Sequence, residues 1–107
     1  MSKTPPKWKP AEATQIINEC AKADPTVALT LHAKEQMSDR GLIMGDVMHL
    51  LKWGFVYEDP EDATRGHFKY RVEGTTPNSE GRTIRAVVIP SGDCHLKIVT
   101  VMWRDEK

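Results

Sequence analysis

The hydrophobic period of the chain changes once, at Gly54, and this change constrains the fold more than any other feature. Before it, apolar side chains recur every three or four residues, as in helices; after it, they alternate with polar ones, as in strands. Helices followed by strands favour an α+β domain. The pattern therefore predicts N-terminal helices packed on one face of a small antiparallel sheet of three to four strands.

The first predicted helix covers residues 11–23. Its apolar side chains form one stripe: Ala13, Ile16, Ile17 and Cys20. Pro25 ends it, because the residue before a proline avoids helical torsion angles. Residues 1–10 are rich in proline and hold one large apolar side chain, Trp8. They are predicted to form a flexible arm ahead of a single α+β domain over residues 11–107.

Two short helices are predicted on either side of Gly41. The first covers residues 32–40, with Thr30 as its cap, and Gly41 suits the left-handed torsion angles that end it. The second covers residues 45–53. Such pairs also occur in helix–turn–helix DNA-binding domains, which makes DNA binding one alternative. It ranks last, because the second helix offers only one histidine and one lysine to contact bases or phosphates.

The predicted strands come after these helices, with one ambiguous exception before them. Residues 26–31 are β-prone, but the run is too short to separate a strand from an extended entry to a helix. Residues 55–58, 66–74 and 82–89 have the alternation or composition of strands. Residues 96–103 form the most apolar run and are predicted to be a central strand buried on both faces.

The strand over residues 66–74 alternates most clearly. One face carries charged or titratable side chains: His67, Lys69, Arg71 and Glu73. The other face is apolar: Phe68, Tyr70 and Val72. Cations and a histidine spaced about 6–7 Å apart suit the phosphates and bases of single-stranded RNA. The alternative is the exposed face of a half-buried sheet with no ligand.

The charges of the chain are divided unevenly along its length, although the net charge is zero. Residues 1–64 hold seven Lys or Arg and ten Asp or Glu, a balance of minus three. Residues 65–104 hold seven Lys or Arg and three Asp or Glu, a balance of plus four. A basic surface in the second half that meets phosphate is one interpretation, and a solvated sheet face is the other.

The two cysteines and the hydropathy of the chain bear on its compartment. Cys20 and Cys94 match no metal-binding spacing, and we expect two reduced thiols rather than a disulfide, as in intracellular proteins. The four histidines form no close pair, so a zinc site is not expected. The sequence has no apolar run of the roughly 20 residues that span a membrane and no signal-peptide core. A cytoplasmic location without membrane association is therefore predicted.

Motifs of nucleotide-cofactor enzymes and serine hydrolases do not occur, so no cofactor is expected. Metal-independent RNA cleavage needs no such motif. The 2′-hydroxyl of the substrate attacks the adjacent phosphorus, and the protein supplies a base, cations and an acid. The candidate catalytic residues are His32, His67, Lys69 and Arg71.

His32 and Arg40 stand at the two ends of one predicted helix, about 12 Å apart. They cannot contact one atom, but they can border one cleft. We expect that this helix and the charged face of residues 66–74 share a hollow. The structural alternative is that His32 caps the helix and Arg40 binds carbonyl groups at its C-terminus.

The segment His32-Ala33-x-x-x-Met37-x-x-Arg40-Gly41-Leu42, followed by Asp46-Val47 and Leu51-x-x-Gly54, resembles the signature of a bacterial family, domain of unknown function 4258. Three later segments continue the resemblance: Tyr70 to Val72, Arg85 to Val88, and Ile98 to Trp103. It covers residues 26–104 and leaves the first helix as an extension.

This family is similar in turn to the RelE-like and MqsR-like toxins, which cut messenger RNA and are silenced by an antitoxin. The resemblance implies a RelE-like fold in which the open sheet face binds RNA. It also implies a set of substrate-binding residues: Arg40, Tyr70, Arg85, Thr100 and Trp103. The expected partners are RNA and an antitoxin protein. The main alternative is a binding module of the same fold, without catalysis, that binds a protein or a nucleic acid.

Overall fold

The computed structural model describes residues 5–106; residues 1–4 of the predicted arm and Lys107 lie outside it. Helices and strands follow one another in this order: α1 (Pro10–Lys22), β1 (Thr26–Leu29), α2 (Leu31–Arg40), α3 (Met44–Trp53), β2 (Phe55–Val56), β3 (Glu61–Asp62), β4 (Phe68–Gly74), β5 (Ile84–Ser91) and β6 (His95–Trp103). The predicted α+β class is confirmed.

The strands form a mixed sheet in the order β1-β6-β5-β4-β2, and β3 pairs with β4 beside this path. β1 runs parallel to β6, and the other pairs are antiparallel. The prediction of three to four antiparallel strands is therefore wrong. β1 lies in the β-prone run of residues 26–31, but its parallel partner lies some seventy residues further along the chain, so no local pattern reveals this pairing. β3 consists of two acidic residues and has no local hydrophobic signal.

The helix ends follow from local chemistry. The Thr30 side chain accepts a hydrogen bond from the Ala33 N–H (3.1 Å) and caps α2. Gly41 has left-handed torsion angles (φ 68°) and ends the same helix, as predicted. In the described part of the chain, no helix has the length and apolar character needed to cross a lipid bilayer.

One buried cluster joins the three helices to one face of the sheet. α3 contacts both α1 and the sheet, and it buries Val47, Leu50 and Leu51. The prediction that β6 is buried on both faces is wrong, because Lys97 is exposed beside the buried Leu96 and Ile98. The sheet therefore has a helical face and an open face.

Cys20 and Cys94 form a disulfide, so the prediction of two reduced thiols is wrong. The fold brings their Cα atoms to 5.2 Å, although they are 74 residues apart in sequence. The bond ties the end of α1 to the turn between β5 and β6. Disulfides persist mainly in oxidising compartments, so this bond does not support the predicted cytoplasmic location, which stays a prediction.

Candidate functional site

The open face of the sheet carries the alternate side chains of β4, β5 and β6. Arg71 lies opposite Val87, and Val87 lies opposite Thr100, so these three cross the middle of the face. One step along the strands, Glu73 lies opposite Arg85. The charged side of β4 predicted from the alternation is thus the open side, whereas Tyr70 and Val72 point to the core.

Carboxylates pair with the arginines in the middle of this face. Arg71 donates to Glu61 (2.6 Å). Glu73 is buried although it lies on the open face, because Arg85 and Arg104 contact its two oxygens (3.0 Å each). A phosphate binding to Arg71 or Arg85 would therefore compete with a carboxylate that is already in place.

α2 lies along the part of β6 that β1 leaves unpaired. The Gln36 side chain accepts a hydrogen bond from the Val101 N–H (2.9 Å), and Arg40 forms a two-point pair with Glu106. This pair lowers the pKa of Glu106 to about 2, while burial partly opposes the shift. Since His32, Gln36 and Arg40 are spaced by four, they form one stripe on α2; it is called the α2 stripe below.

The α2 stripe and β4 do not border the shared hollow that the sequence led us to expect. β5 lies between β4 and β6, so the backbone of β4 is about 10 Å from that of β6, against which α2 packs. His32 is exposed on α2 and does not line the cleft at His67. The structure therefore separates His32 and Arg40 from His67, Lys69 and Arg71.

Two aromatic residues from the expected substrate-binding set face the core side of the sheet. Tyr70 is 1% exposed, and its hydroxyl accepts a hydrogen bond from the backbone N–H of Trp8 (2.9 Å). The rings of the two residues also stack. Burial raises the pKa of the Tyr70 phenol. Trp103 is half-buried beneath the guanidinium of Arg82. These contacts give both rings a role in packing.

A cleft of about 440 Å³ opens at the start of β4. It is called the His67 cleft, and its lining residues are Thr64, Arg65, His67, Ile89, Ser91 and Lys97. Among residues 5–106, neither Arg65 nor Lys97 forms an ion pair with a carboxylate. Both cations are thus free to meet an anion, unlike the arginines in the middle of the open face.

The backbone before β4 sets the orientation of His67. Its Nδ1 atom lies 3.2 Å from the carbonyl oxygen of Thr64, a contact that favours the tautomer with the proton on Nδ1. The Nε2 atom then keeps its lone pair and can accept a proton. Arg65 has left-handed torsion angles (φ 57°), which residues other than glycine seldom adopt. The cleft therefore holds one base and two cations.

A family model described as domain of unknown function (DUF4258) matches residues 29–103. The chain belongs to this family. No curated protein and no solved structure shows significant similarity to it. In this DUF4258 chain, the matched segment contains the α2 stripe, β4 and the His67 cleft, whereas α1 precedes it.

Asp46 of the DUF4258 segment has a structural role. Its buried carboxylate accepts hydrogen bonds from the Ile43 N–H (2.9 Å), the Thr76 hydroxyl (2.6 Å) and the Asn78 amide (2.9 Å). Burial raises the pKa of this carboxyl, but the three hydrogen bonds outweigh it and keep the pKa below its usual value. The network joins the start of α3 to the turn before β5.

Arg65 and Lys97 belong to the DUF4258 segment, but the sequence reasoning counted them only as part of a basic region. The signal for Lys97 was available, because the hairpin turn at residues 92–94 places β5 against β6 and pairs Ile89 with Lys97. Arg65 had no such signal, since its place in the cleft depends on the turn before β4. Their proximity to His67 is a property of the fold.

Proposed function

We propose that this DUF4258 protein is an endoribonuclease that cleaves RNA without a metal ion, with His67 as its general base. The His67 cleft carries the proposal, because it combines an oriented imidazole with two cations that have no carboxylate partner among residues 5–106. Lys69, one residue into β4 on the open side, adds a further cation beside it. RNA is the substrate class, since only RNA carries the 2′-hydroxyl that the reaction consumes.

The reaction needs little from the protein beyond these groups. The Nε2 atom of His67 takes the proton of the 2′-hydroxyl, and the 2′-oxygen forms a bond to the adjacent phosphorus. The bond from phosphorus to the 5′-oxygen breaks, and that oxygen takes a proton from solvent. Arg65 and Lys97 stabilise the charge that develops on the phosphoryl oxygens. The products are a 2′,3′-cyclic phosphate and a free 5′-hydroxyl.

The likeness to RelE-like and MqsR-like toxins belongs to this proposal. The resemblance to such toxins implies helices on one face of the sheet and RNA bound at the open face, where the His67 cleft lies. An antitoxin would silence the protein by covering the open face.

The experiment is an incubation of a structured RNA that contains single-stranded loops with the purified protein in excess chelator, with analysis of the cleaved ends. We expect 2′,3′-cyclic phosphate ends, and a loss of about 10²–10⁴-fold in rate for His67→Ala. The matched control is His32→Ala, which removes an exposed histidine from α2 and should keep the rate. Cleavage by His67→Ala at the wild-type rate, or no cleavage by the wild-type protein, would overturn the proposal.

A second candidate is a binding module without catalysis. The observation that favours it is the pairing of Arg71 and Arg85 with carboxylates, which leaves the middle of the open face without free cations. The same assay, combined with a measurement of RNA binding, separates the two functions. RNA that is bound by the wild-type protein but stays intact would identify the module.

A further inference from the structure

Three large aromatic side chains are exposed at the β2 edge of the sheet. Trp53, Phe55 and Tyr57 are 58%, 54% and 67% exposed, and none of them belongs to the buried cluster. They line a cleft of about 530 Å³, called the aromatic cleft. Its other lining residues are polar or small: His49, Glu73, Gly74, Thr75, Thr83 and Arg104.

The turn at Gly54 holds these rings at the surface. The Gly54 N–H donates to the Leu50 carbonyl (2.7 Å) and ends α3. A Cβ atom at this position would lie 2.5 Å from that carbonyl oxygen and 2.9 Å from Val72, so only glycine lets the chain pass so close to β4. Consequently, α3 ends in Trp53 and β2 begins with Phe55 at the same edge. The rings of Phe55 and Tyr57 lie side by side, with centroids 6.1 Å apart.

One cation lies over the Trp53 ring, and a second lines the aromatic cleft. The Lys22 ammonium lies 4.0 Å from the centre of the Trp53 ring. The Arg104 side chain lines the cleft and is 62% exposed, and its Nε atom contacts Glu73. Because Glu73 is also paired with Arg85, its charge is more than compensated. The cleft thus offers ring faces to a planar group and positive charge to an anion.

We propose that the aromatic cleft binds unpaired nucleotides of an RNA strand, with bases stacked on Phe55 and Tyr57 and a phosphate at Arg104. Aromatic faces beside cations are the usual means of holding single-stranded nucleic acid. This subsite rests on the proposed function in one respect: the strand it holds is the one that reaches His67.

The position of the two clefts on β4 fits one bound strand. Glu73 lines the aromatic cleft and His67 lines the other, and six residues of extended chain separate them by about 20 Å. That length corresponds to a few extended nucleotides. Binding at the aromatic cleft would therefore determine which phosphodiester bond lies at His67. A substrate must be single-stranded over this length.

The test uses a short 2′-O-methyl RNA, which cannot be cleaved because it has no free 2′-hydroxyl. Its dissociation constant is measured by fluorescence anisotropy at fixed salt concentration. We expect Tyr57→Ala to weaken binding about 10-fold and the Phe55→Ala, Tyr57→Ala double variant by more. The matched control is Leu31→Ala, which removes an equally exposed apolar side chain (72%) from α2 and should leave binding unchanged.

The outcomes separate this inference from the proposed function. If His67→Ala binds the oligonucleotide like the wild type but the wild type cleaves no RNA, the subsite stands and the nuclease fails. If Tyr57→Ala and the double variant bind like the wild type, the subsite is wrong, whatever the cleavage result. Sedimentation velocity tests whether a second copy of the chain occupies the aromatic cleft instead. A wild-type dimer that Tyr57→Ala converts to a monomer, with RNA binding unchanged, would make the cleft a contact between copies and overturn the inference.

Discussion

The α2 stripe and the His67 cleft have similar side chains but opposite surroundings. On α2, Arg40 is held by Glu106, and Gln36 is bonded to the backbone of β6. In the cleft, Arg65 and Lys97 have no ion pair among the described residues, and His67 keeps a free ring nitrogen. From residue type alone, both regions were predicted to be functional. Their side-chain contacts distinguish them: the α2 stripe packs along the edge of β6, whereas the cations of the cleft keep no carboxylate partner among the described residues.

Reduction of the disulfide, which lies beside the cleft, should lower the stability of the domain. Cys94 lies in the turn that joins Ser91 to β6, beside the cleft. Because the bond closes a loop of 74 residues, its loss should lower the free energy of unfolding by about 4 kcal/mol. Urea denaturation with and without reductant measures this. The Cys20→Ser, Cys94→Ser double variant is the control and should not respond to reductant; identical curves for the wild type would contradict the prediction.

Removal of one cation should distinguish the two regions by activity. Lys97→Gln removes a positive charge from the cleft, and we expect RNA cleavage to fall about 100-fold because one stabiliser of the transition state is lost. Lys34→Gln removes the same charge from an exposed position on α2 and should change the rate by less than about 3-fold. Initial rates at saturating RNA provide the measurement. Equal losses in both variants would mean that only the overall charge matters.

The Arg40–Glu106 pair should matter for stability and not for cleavage. Glu106→Gln breaks the pair at the β6 edge, and we expect the free energy of unfolding at pH 7 to fall by about 1–2 kcal/mol. Cleavage should remain within about 2-fold of the wild-type rate. Chemical denaturation and the RNA assay test both statements. A variant that is fully stable but inactive would place the α2 stripe in the active site.

The same pair should also show in the acid denaturation of the protein. Since the folded pKa of Glu106 is about 2, below its ordinary value of 4.5, the stabilising effect is complete above pH 4.5 and is lost as the pH falls towards 2. The wild type should therefore lose more stability than Glu106→Gln across this range. Parallel curves for the two proteins would show that Glu106 is not paired in solution.

The helix ends and the faces of β4 could be predicted from sequence because their causes are local. Thr30 caps α2, and Gly41 ends it, within a few residues of the side chains that define the pattern. The parallel pairing of β1 with β6, the disulfide and the Arg40–Glu106 pair each join residues more than 60 positions apart. A hydrophobic period extends over a few residues only and cannot reveal such distant contacts. The predictions of an all-antiparallel sheet and of two reduced thiols were wrong for this reason.

The site shows the same limit. Single residues such as His67 and Lys69 were found by alternation along one strand. The grouping of His67 with Lys97 depends on three strands, and the one expected with His32 and Arg40 does not occur. Alternation reveals which side chains share a face, but it does not reveal which charges are already neutralised.

The most direct test is to determine by NMR which residues RNA contacts. Backbone and side-chain NMR shifts can be followed while a non-cleavable 2′-O-methyl RNA is added to the oxidised protein. We predict shifts at Arg65, His67 and Lys97, including the His67 imidazole, and none at Gln36 or Arg40. Shifts confined to α2, with the His67 cleft unchanged, would contradict the assignment of the open cleft as the binding site.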